Sequence, residues 1–575
     1  MKKTYLLRHG MAVLLAVFCG QIMAQTLQLG SNWYGIDHER GLIVSNQDTY
    51  LLNLIHSEGV NVLLLDDSEY QFTIPPDTLL VGYPYTVNRG GKQYVFYFTE
   101  LPLIHIDMEA EMDIDERRPA RFRMTETNGN EVNSNAGLNY RGAFSLIFPK
   151  KSMRLEFWLD PEGSKTRNIK LLDLRSDDDW ILLAQYNEPL RIRNRSCHEL
   201  WGEVHTPHYA AQQPDALPGS RGRHVEIFRN GSYMGVYLLT ERIDRKQLKI
   251  NHWEGGSDAY GELHKAKEWG SGTVSFRFLP FYNNQSRWFD GYQKKYPREE
   301  EHTDWSDFFD MKAFVMQTED SLFTYEINSN FHTGNAVDYF LFLNFLRAED
   351  NTGKNIFVAR TQQGAPYFYV PWDLDAVLGY NYDGTVLEET EDILTNGLYD
   401  RFLDACEEHE FASLVQERWF ALREGVFHTD SMMTRLQRHH NSLYSNGVYH
   451  REEMAWPEYS YNPDVLQYTR AWLEERVAYL DGFIAELCEQ AASVERRESH
   501  GFRLYPNPTN GALGVFHFGA GDYSDYQLRD IFGRLVKEGR LNLHTTFIQL
   551  DDLIPGTYLF TVDGDPSTTQ KVVRF

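Results

Sequence analysis

Residues 338–379 read DYFLFLNFLRAEDNTGKNIFVARTQQGAPYFYVPWDLDAVLG. The run Tyr339 to Leu346 is too apolar for a surface helix and predicts a buried one. A polar loop, 348–354, follows. Two β-rich runs come next, Ile356–Arg360 and 367–370, separated by the turn residues Gln362, Gln363 and Gly364, which together predict a hairpin. A hairpin brings its outer ends close together. Asp350 after the helix, Asn355 at the mouth of the first strand and Asp373 beyond the second are therefore expected to share one cleft, with Asp375 beside them. Two carboxylates and an amide are hard oxygen donors, which suit Mg²⁺ better than a soft metal. The same pattern also fits a solvated turn followed by a helix cap at Asp373.

Protein kinases use this order of elements: a catalytic-loop Asp, an Asn five residues on, a strand pair, then a metal-binding Asp. The usual His-Arg before the Asp is replaced by Ala348–Glu349, and Asp-Phe-Gly is absent. With Trp372–Asp373–Leu374–Asp375, the stretch resembles the CotH kinase family, which has an atypical protein-kinase-like fold. The resemblance implies that Asp350 is catalytic and that Asn355, Asp373 and Asp375 hold Mg²⁺ (or Mn²⁺), with ATP as co-substrate.

Working outward, the 575-residue chain is long enough for three or four units. Its net charge of −26 argues against a nucleic-acid partner, which demands a basic footprint. Residues 1–24 read as a signal peptide: Lys2, Lys3 and Arg8, a short apolar core, then Ala24 as the cleavage point. No later run is apolar enough for a transmembrane helix. Of the four cysteines, Cys19 falls in the expected signal peptide, and the three left after its cleavage, Cys197, Cys406 and Cys488, are odd in number and widely spaced, which predicts apolar filler rather than a disulfide framework. His198–Glu199 followed by His205 has the wrong spacing for a zinc protease. His439 and His440 read as solvated helix residues.

Residues 25–100 alternate short β-like runs with turns, at 42–45, 50–54, 60–65, 80–83 and 94–99, and read as a small all-β module. The CotH resemblance spans 101–488. It includes Asn139–Tyr140–Arg141–Gly142, Pro149–Lys150–Lys151 running into Arg154, and the hairpin around Asn230–Gly231. By resemblance, Arg141, Lys151 and Arg154 belong to the nucleotide-binding lobe and neutralise phosphate charge. Glu199, on a helix expected over 190–201, is placed to pair with a strand lysine. Glu241 falls at the hinge between lobes. Lys265, in Gly261–Glu262–Leu263–His264–Lys265, is a nucleotide or substrate contact. This chain has Ala143–Phe144 after Arg-Gly, where the family has small polar residues.

A charged linker, 489–501, leads to a β-sandwich at 502–575. Leu504–Tyr505–Pro506–Asn507–Pro508–Thr509–Asn510–Gly511, with Gly556–Thr557–Tyr558, resembles the C-terminal sorting domain of type IX secretion cargo in Bacteroidetes. It implies contact with that secretion machinery and release to, or anchoring at, the outer cell surface.

The fold class expected is therefore α+β: an atypical protein-kinase-like two-lobed domain, preceded by a small all-β module and followed by a C-terminal β-sandwich. The function expected is transfer of the ATP γ-phosphate to a Ser or Thr hydroxyl of a protein substrate. The alternatives are a surface adhesin or binding protein on the same scaffold, and a metal-dependent hydrolase using the same carboxylates.

Overall fold

The computed structural model describes residues 26–56, 59–255, 259–268, 272–279, 282, 284, 288–289, 291–298, 301–403, 405–406, 410–488, 502–505, 509, 511–517, 524–541, 545–563 and 569–574. The expected signal peptide, the linker and the residues at 506–508 lie outside the described residues.

The first sheet has the spatial order Thr26–Leu29, Val62–Leu65, Ser68–Phe72, Tyr85–Arg89, Lys92–Phe98, Leu42–Ser45, Tyr34–Asp37. Two expected strands are absent from it. Residues Thr49–Ile55 form a helix, because the Asp48 carboxylate accepts the backbone N–H groups of Tyr50 (2.8 Å) and Leu51 (3.4 Å) and caps its first turn. The run at 80–83 contributes one isolated bridge, Val81 to Phe98. This sheet rests on the next unit: Asp37 accepts the Tyr233 N–H at 2.9 Å, and Tyr97 bonds His450.

Seven strands then close a barrel in the order Glu131–Tyr140, Met153–Trp158, Asp179–Leu183, Ser232–Thr240, Gly222–Arg229, Leu103–Asp107, Arg118–Thr125. Parallel pairing of Leu103–Asp107 with Gly222–Arg229 completes the ring. The predicted hairpin turns at Asn230 (φ +48°) and Gly231 (φ +77°), the two left-handed residues a two-residue turn between twisted strands needs. Alternate side chains, among them Ile104, Phe122, Leu138, Leu155, Trp180, Val225 and Leu239, fill the barrel interior.

Beyond it, a five-stranded sheet (Trp288–Phe289, Tyr292–Tyr296, Glu262–Ala266, Ile356–Arg360, Phe368–Pro371) packs with helices. Thr333–Leu346 is the central helix, and every residue from Asn335 to Leu346 is buried, as its uniform apolarity predicts. Phe411–Arg423 and Val465–Ala485 cover it. A helix at Val448–Ala455 was not expected from the sequence. The C-terminal region forms two facing sheets of three and four strands around Leu513, Val515, Leu528, Phe560 and Val572. Cys197 is buried and unbridged, as expected of apolar filler, while Cys406 and Cys488 are only partly buried. The whole is a mixed α+β structure, and no helix among the described residues is long and apolar enough to cross a membrane.

Several core histidines set the acid response. Burial pushes His105, His198, His208 and His264 down to about 4, and the neighbouring His332 and His205 add to the effect at His208. Unfolding returns each to an ordinary value near 6.5. Between about pH 6.5 and 4 the unfolded chain therefore binds more protons than the folded one, and stability falls as pH falls. Thermal melts from pH 7.5 to 4.5 are expected to show a progressive drop in Tm that begins below about 6.5. A flat profile down to pH 5 would contradict it.

Candidate functional site

A cleft of about 1530 Å³ lies where the barrel faces the helix-loop-hairpin stretch. The hairpin does what its sequence demands. Ile356 pairs with Pro371, and the Trp372 N–H donates to the Asn355 carbonyl at 2.9 Å, so Asn355 and Asp373 sit at adjoining strand ends. Both have left-handed backbones, with φ of +53° and +59°. Asp373 caps no helix, since the next helix begins at Gly397.

Asn351 holds this junction. Its side-chain NH₂ donates to the carbonyls of Asn355 (2.9 Å) and Trp372 (2.7 Å), while its own carbonyl accepts the Tyr339 hydroxyl at 2.9 Å. Asn351→Ala removes one donor from the part-buried Asn355 carbonyl, which keeps the Trp372 N–H, and one from the buried Trp372 carbonyl. A loss of roughly 2–4 kcal/mol is expected at about 1–2 kcal/mol per lost bond, measured by chemical denaturation. A change below about 0.5 kcal/mol would show that the junction holds without it.

Of the ten residues singled out from sequence, seven line the cleft: Arg141, Arg154, Lys265, Asp350, Asn355, Asp373 and Asp375. Burial raises the Asp350 carboxyl, as does the Asp373 carboxylate, while Lys354 opposes them. Burial, followed by Asp373, pushes Asp375 well above the usual carboxylate range. The Asn187 side chain donates to Asp375 at 2.6 Å. Beside Asp373, Trp372 carries two basic side chains on its ring: the Arg141 guanidinium at 5.5 Å and the Lys265 side-chain nitrogen at 5.8 Å. Burial lowers Arg141 to about 10. Burial and then Arg141 push Lys265 well below its ordinary value. Although the chain is strongly acidic, thirteen lysines and arginines line this cleft against eleven aspartates and glutamates.

The other three, Lys151, Glu199 and Glu241, have partners outside the cleft. The Lys151 ammonium donates to the Phe148 carbonyl at 2.8 Å and does not line the cleft. Its neighbour Lys150 turns inward, to Glu452 at 2.8 Å. Glu199 pairs with Arg195, Arg438 and His439 rather than with a strand lysine. The helix Arg193–Val204 presents it to Thr429–Ser445, away from the barrel strand. His439 and His440 are accordingly buried, not solvated. Glu241 is consumed by Arg221 (2.7 Å), the Arg175 N–H (2.8 Å) and Gln247 (3.2 Å), with nothing left for a ligand.

The family model for the CotH kinase protein matches residues 138–484, more than half of the chain. The chain belongs to the CotH kinase family. A second model, the secretion system C-terminal sorting domain, matches residues 503–574. No curated protein matches the chain. The sorting domain marks this CotH protein for export to the cell surface or beyond through the type IX machinery it engages. The family match begins inside the barrel strand Glu131–Tyr140, so the barrel includes strands that precede the matched region.

Among the described residues no three His, Cys, Asp or Glu side chains converge as metal ligands. The CotH cleft instead offers Asp373 with the carboxamide of Asn355, which bonds no described residue. One carboxylate with amide oxygens is a hard donor set of the sort that leaves Mg²⁺ most of its waters and substrate phosphates as ligands. Sequence reasoning missed Asn351, Asn187, Asn194 and Arg242. Asn351 stood beside Asp350 in the same loop and was legible there. The other three reach the cleft only through tertiary folding, from segments more than 100 residues distant.

Proposed function

We propose that this CotH protein is an exported phosphotransferase that moves the ATP γ-phosphate to a Ser or Thr hydroxyl of a protein. In this reading the barrel is the nucleotide lobe and the helical half the second lobe of a kinase-like pair. The observation that carries the reading is that Arg141, Arg154 and Lys265 line one cleft together with Asp350, Asn355 and Asp373. The Arg154 guanidinium makes no hydrogen bond or ion pair with a described residue, its attraction being to the more distant Asp179, so its charge is available to a phosphate. Lys265 and Arg141, braced on Trp372, stand in a partly dry site where an incoming phosphate favours their charged forms and electrostatic attraction is strongest. Asp373 and Asn355 would hold Mg²⁺, which would supply neutralisation of phosphate charge. Asp350, its carboxyl raised by burial, accepts the proton of the attacking hydroxyl. The acceptor oxygen bonds to the γ-phosphorus as the bridging bond to ADP breaks. Positioning and charge placement carry most of the catalysis.

Calorimetric titration with ATP, with and without Mg²⁺, tests this. Binding that requires Mg²⁺ is expected, followed by transfer of labelled γ-phosphate to an added protein acceptor. Absence of binding at millimolar ATP overturns the reading. It would favour a surface-binding protein, for which one feature speaks: Tyr50, Leu51, Leu54 and Ile55 stand 55–69% exposed on one short helix.

A further inference from the structure

Asn194 lies in the first turn of the helix Arg193–Val204, at the cleft wall. Its backbone is pinned from outside the helix. The Glu188 carboxylate accepts the N–H groups of Arg193 (2.6 Å) and Asn194 (3.2 Å), and Gln185 donates to the same carboxylate at 3.0 Å. The Asn194 side chain therefore has a defined direction, and that direction is toward Asp373.

It is poorly satisfied there. Asn194 is 2% exposed, and its Oδ1 accepts no hydrogen bond. Its Nδ2 lies 3.5 Å from Asp373 Oδ1, the outer limit for a hydrogen bond. Rotating the amide by half a turn does not help, because its carbonyl oxygen would then face a carboxylate oxygen. Buried amides are almost always fully bonded, so an orphaned acceptor beside a carboxylate asks for a group that attracts both oxygens. Among the neighbouring groups, Arg193 donates through Nε to the Asp375 carbonyl at 3.0 Å and lies on the Tyr380 ring, Arg141 and Lys265 lie on the Trp372 ring, and the neutral Asn187 amide is held by Asp375 and the Tyr382 carbonyl.

A divalent cation meets the requirement. Ligand oxygens at about 2.1 Å from an octahedral Mg²⁺ stand about 3 Å apart when adjacent, close to the separation seen between the Asn194 amide and Asp373. We propose that Asn194 is a ligand of the divalent cation, supplying its side-chain oxygen beside Asp373 and Asn355. The inference rests on the cation reading given above and extends it. The cation then links the helix Arg193–Val204 to the loop after the hairpin, so that loading the cleft fixes the two sides of the site against each other.

The test is Mn²⁺ binding to the full chain, followed by electron paramagnetic resonance of free Mn²⁺ and by the Mn²⁺-induced rise in Tm. Wild type is expected to bind, and Asp373→Ala to lose binding. Asn194→Ala is expected to weaken binding at least tenfold and to lose most of the Tm rise. Asn194→Asp, nearly isosteric and carrying an added charge, is expected to tighten it at least threefold, and it decides the matter if the alanine variant does not fold. Should both Asn194 variants bind Mn²⁺ within twofold of wild type while Asp373→Ala does not bind, Asn194 is no ligand and the cation reading stands. Should wild type itself fail to bind Mn²⁺, the cation reading fails and this inference with it.

Discussion

Asp373→Ala is expected to abolish Mg²⁺-dependent ATP binding and to lower phosphate transfer by on the order of 10³-fold, about 4 kcal/mol of transition-state stabilisation. Three effects act together. The variant removes the one cleft carboxylate that faces both Asn194 and the Arg141–Lys265 pair. It takes away an attraction that supports the charged forms of Arg141 and Lys265, so the phosphate-facing wall loses positive charge as well. It also removes the repulsion that helps to raise Asp350, so the remaining carboxyl becomes a weaker base. Because residue 373 has φ of +59°, alanine there also introduces backbone strain, whereas asparagine tolerates that conformation. Asp373→Asn separates the two contributions. It is expected to be equally inactive but to keep a Tm within about 2 °C of wild type, a surface-like change in stability. Retention of more than a tenth of wild-type transfer in Asp373→Asn would remove Asp373 from the chemistry.

Glu452→Ala is expected to cost about 3–5 kcal/mol, a large share of the stability of an ordinary domain. The Glu452 carboxylate is fully buried and accepts from Lys150 (2.8 and 3.0 Å), Arg191 Nε (3.1 Å) and the Val236 N–H (2.7 Å). Burial alone would raise its carboxyl, but the Lys150 ammonium and then Arg191 more than reverse that, and it stays ionised. Without it two cations remain in an apolar surround, and burial already lowers Lys150 to about 8 in the intact network. The variant's Lys150 folds neutral, while in the unfolded chain it holds its proton to about 10.4. Below that value the unfolded state binds the extra proton, so the deficit is expected to shrink as pH rises from 7 to 10. Denaturation of wild type and variant at those two pH values measures it. A deficit under 1 kcal/mol, or one that grows with pH, would refute the account. Gly235 belongs to the same network: at φ +89° its missing Cβ would lie 1.9 Å from the Glu452 carboxylate, so no side chain fits there.

The sequence was most informative where local pattern and burial agree. The apolar run at 339–346, the Ile356–Arg360 strand and the Asn230–Gly231 turn all form as their residues require, because a buried helix and a two-residue turn leave few alternatives. It was least informative where an apolar run is short. Residues 50–54 read as a strand but fold as a helix, since one capping carboxylate outweighs a five-residue pattern.

The site divides along the same line. Asp350, Asn355, Asp373 and Asp375 were legible because a hairpin joins the ends of one continuous stretch, and short closure leaves them little freedom. Which charged neighbours face them was decided by tertiary structure alone. Adjacent lysines 150 and 151 are equivalent by pattern. Yet only Lys150 meets Glu452, about 300 residues away, because the turn that leads into the barrel strand Met153–Trp158 buries one ammonium and leaves its neighbour on a local carbonyl. The same holds for Glu199, drawn to Arg438 and His439, and for Asn194, brought to Asp373 across 179 positions. Short-range chemistry thus chose the elements and the acidic half of the cleft. Helix docking and the course of the chain into the barrel, which no local window encodes, chose the partners.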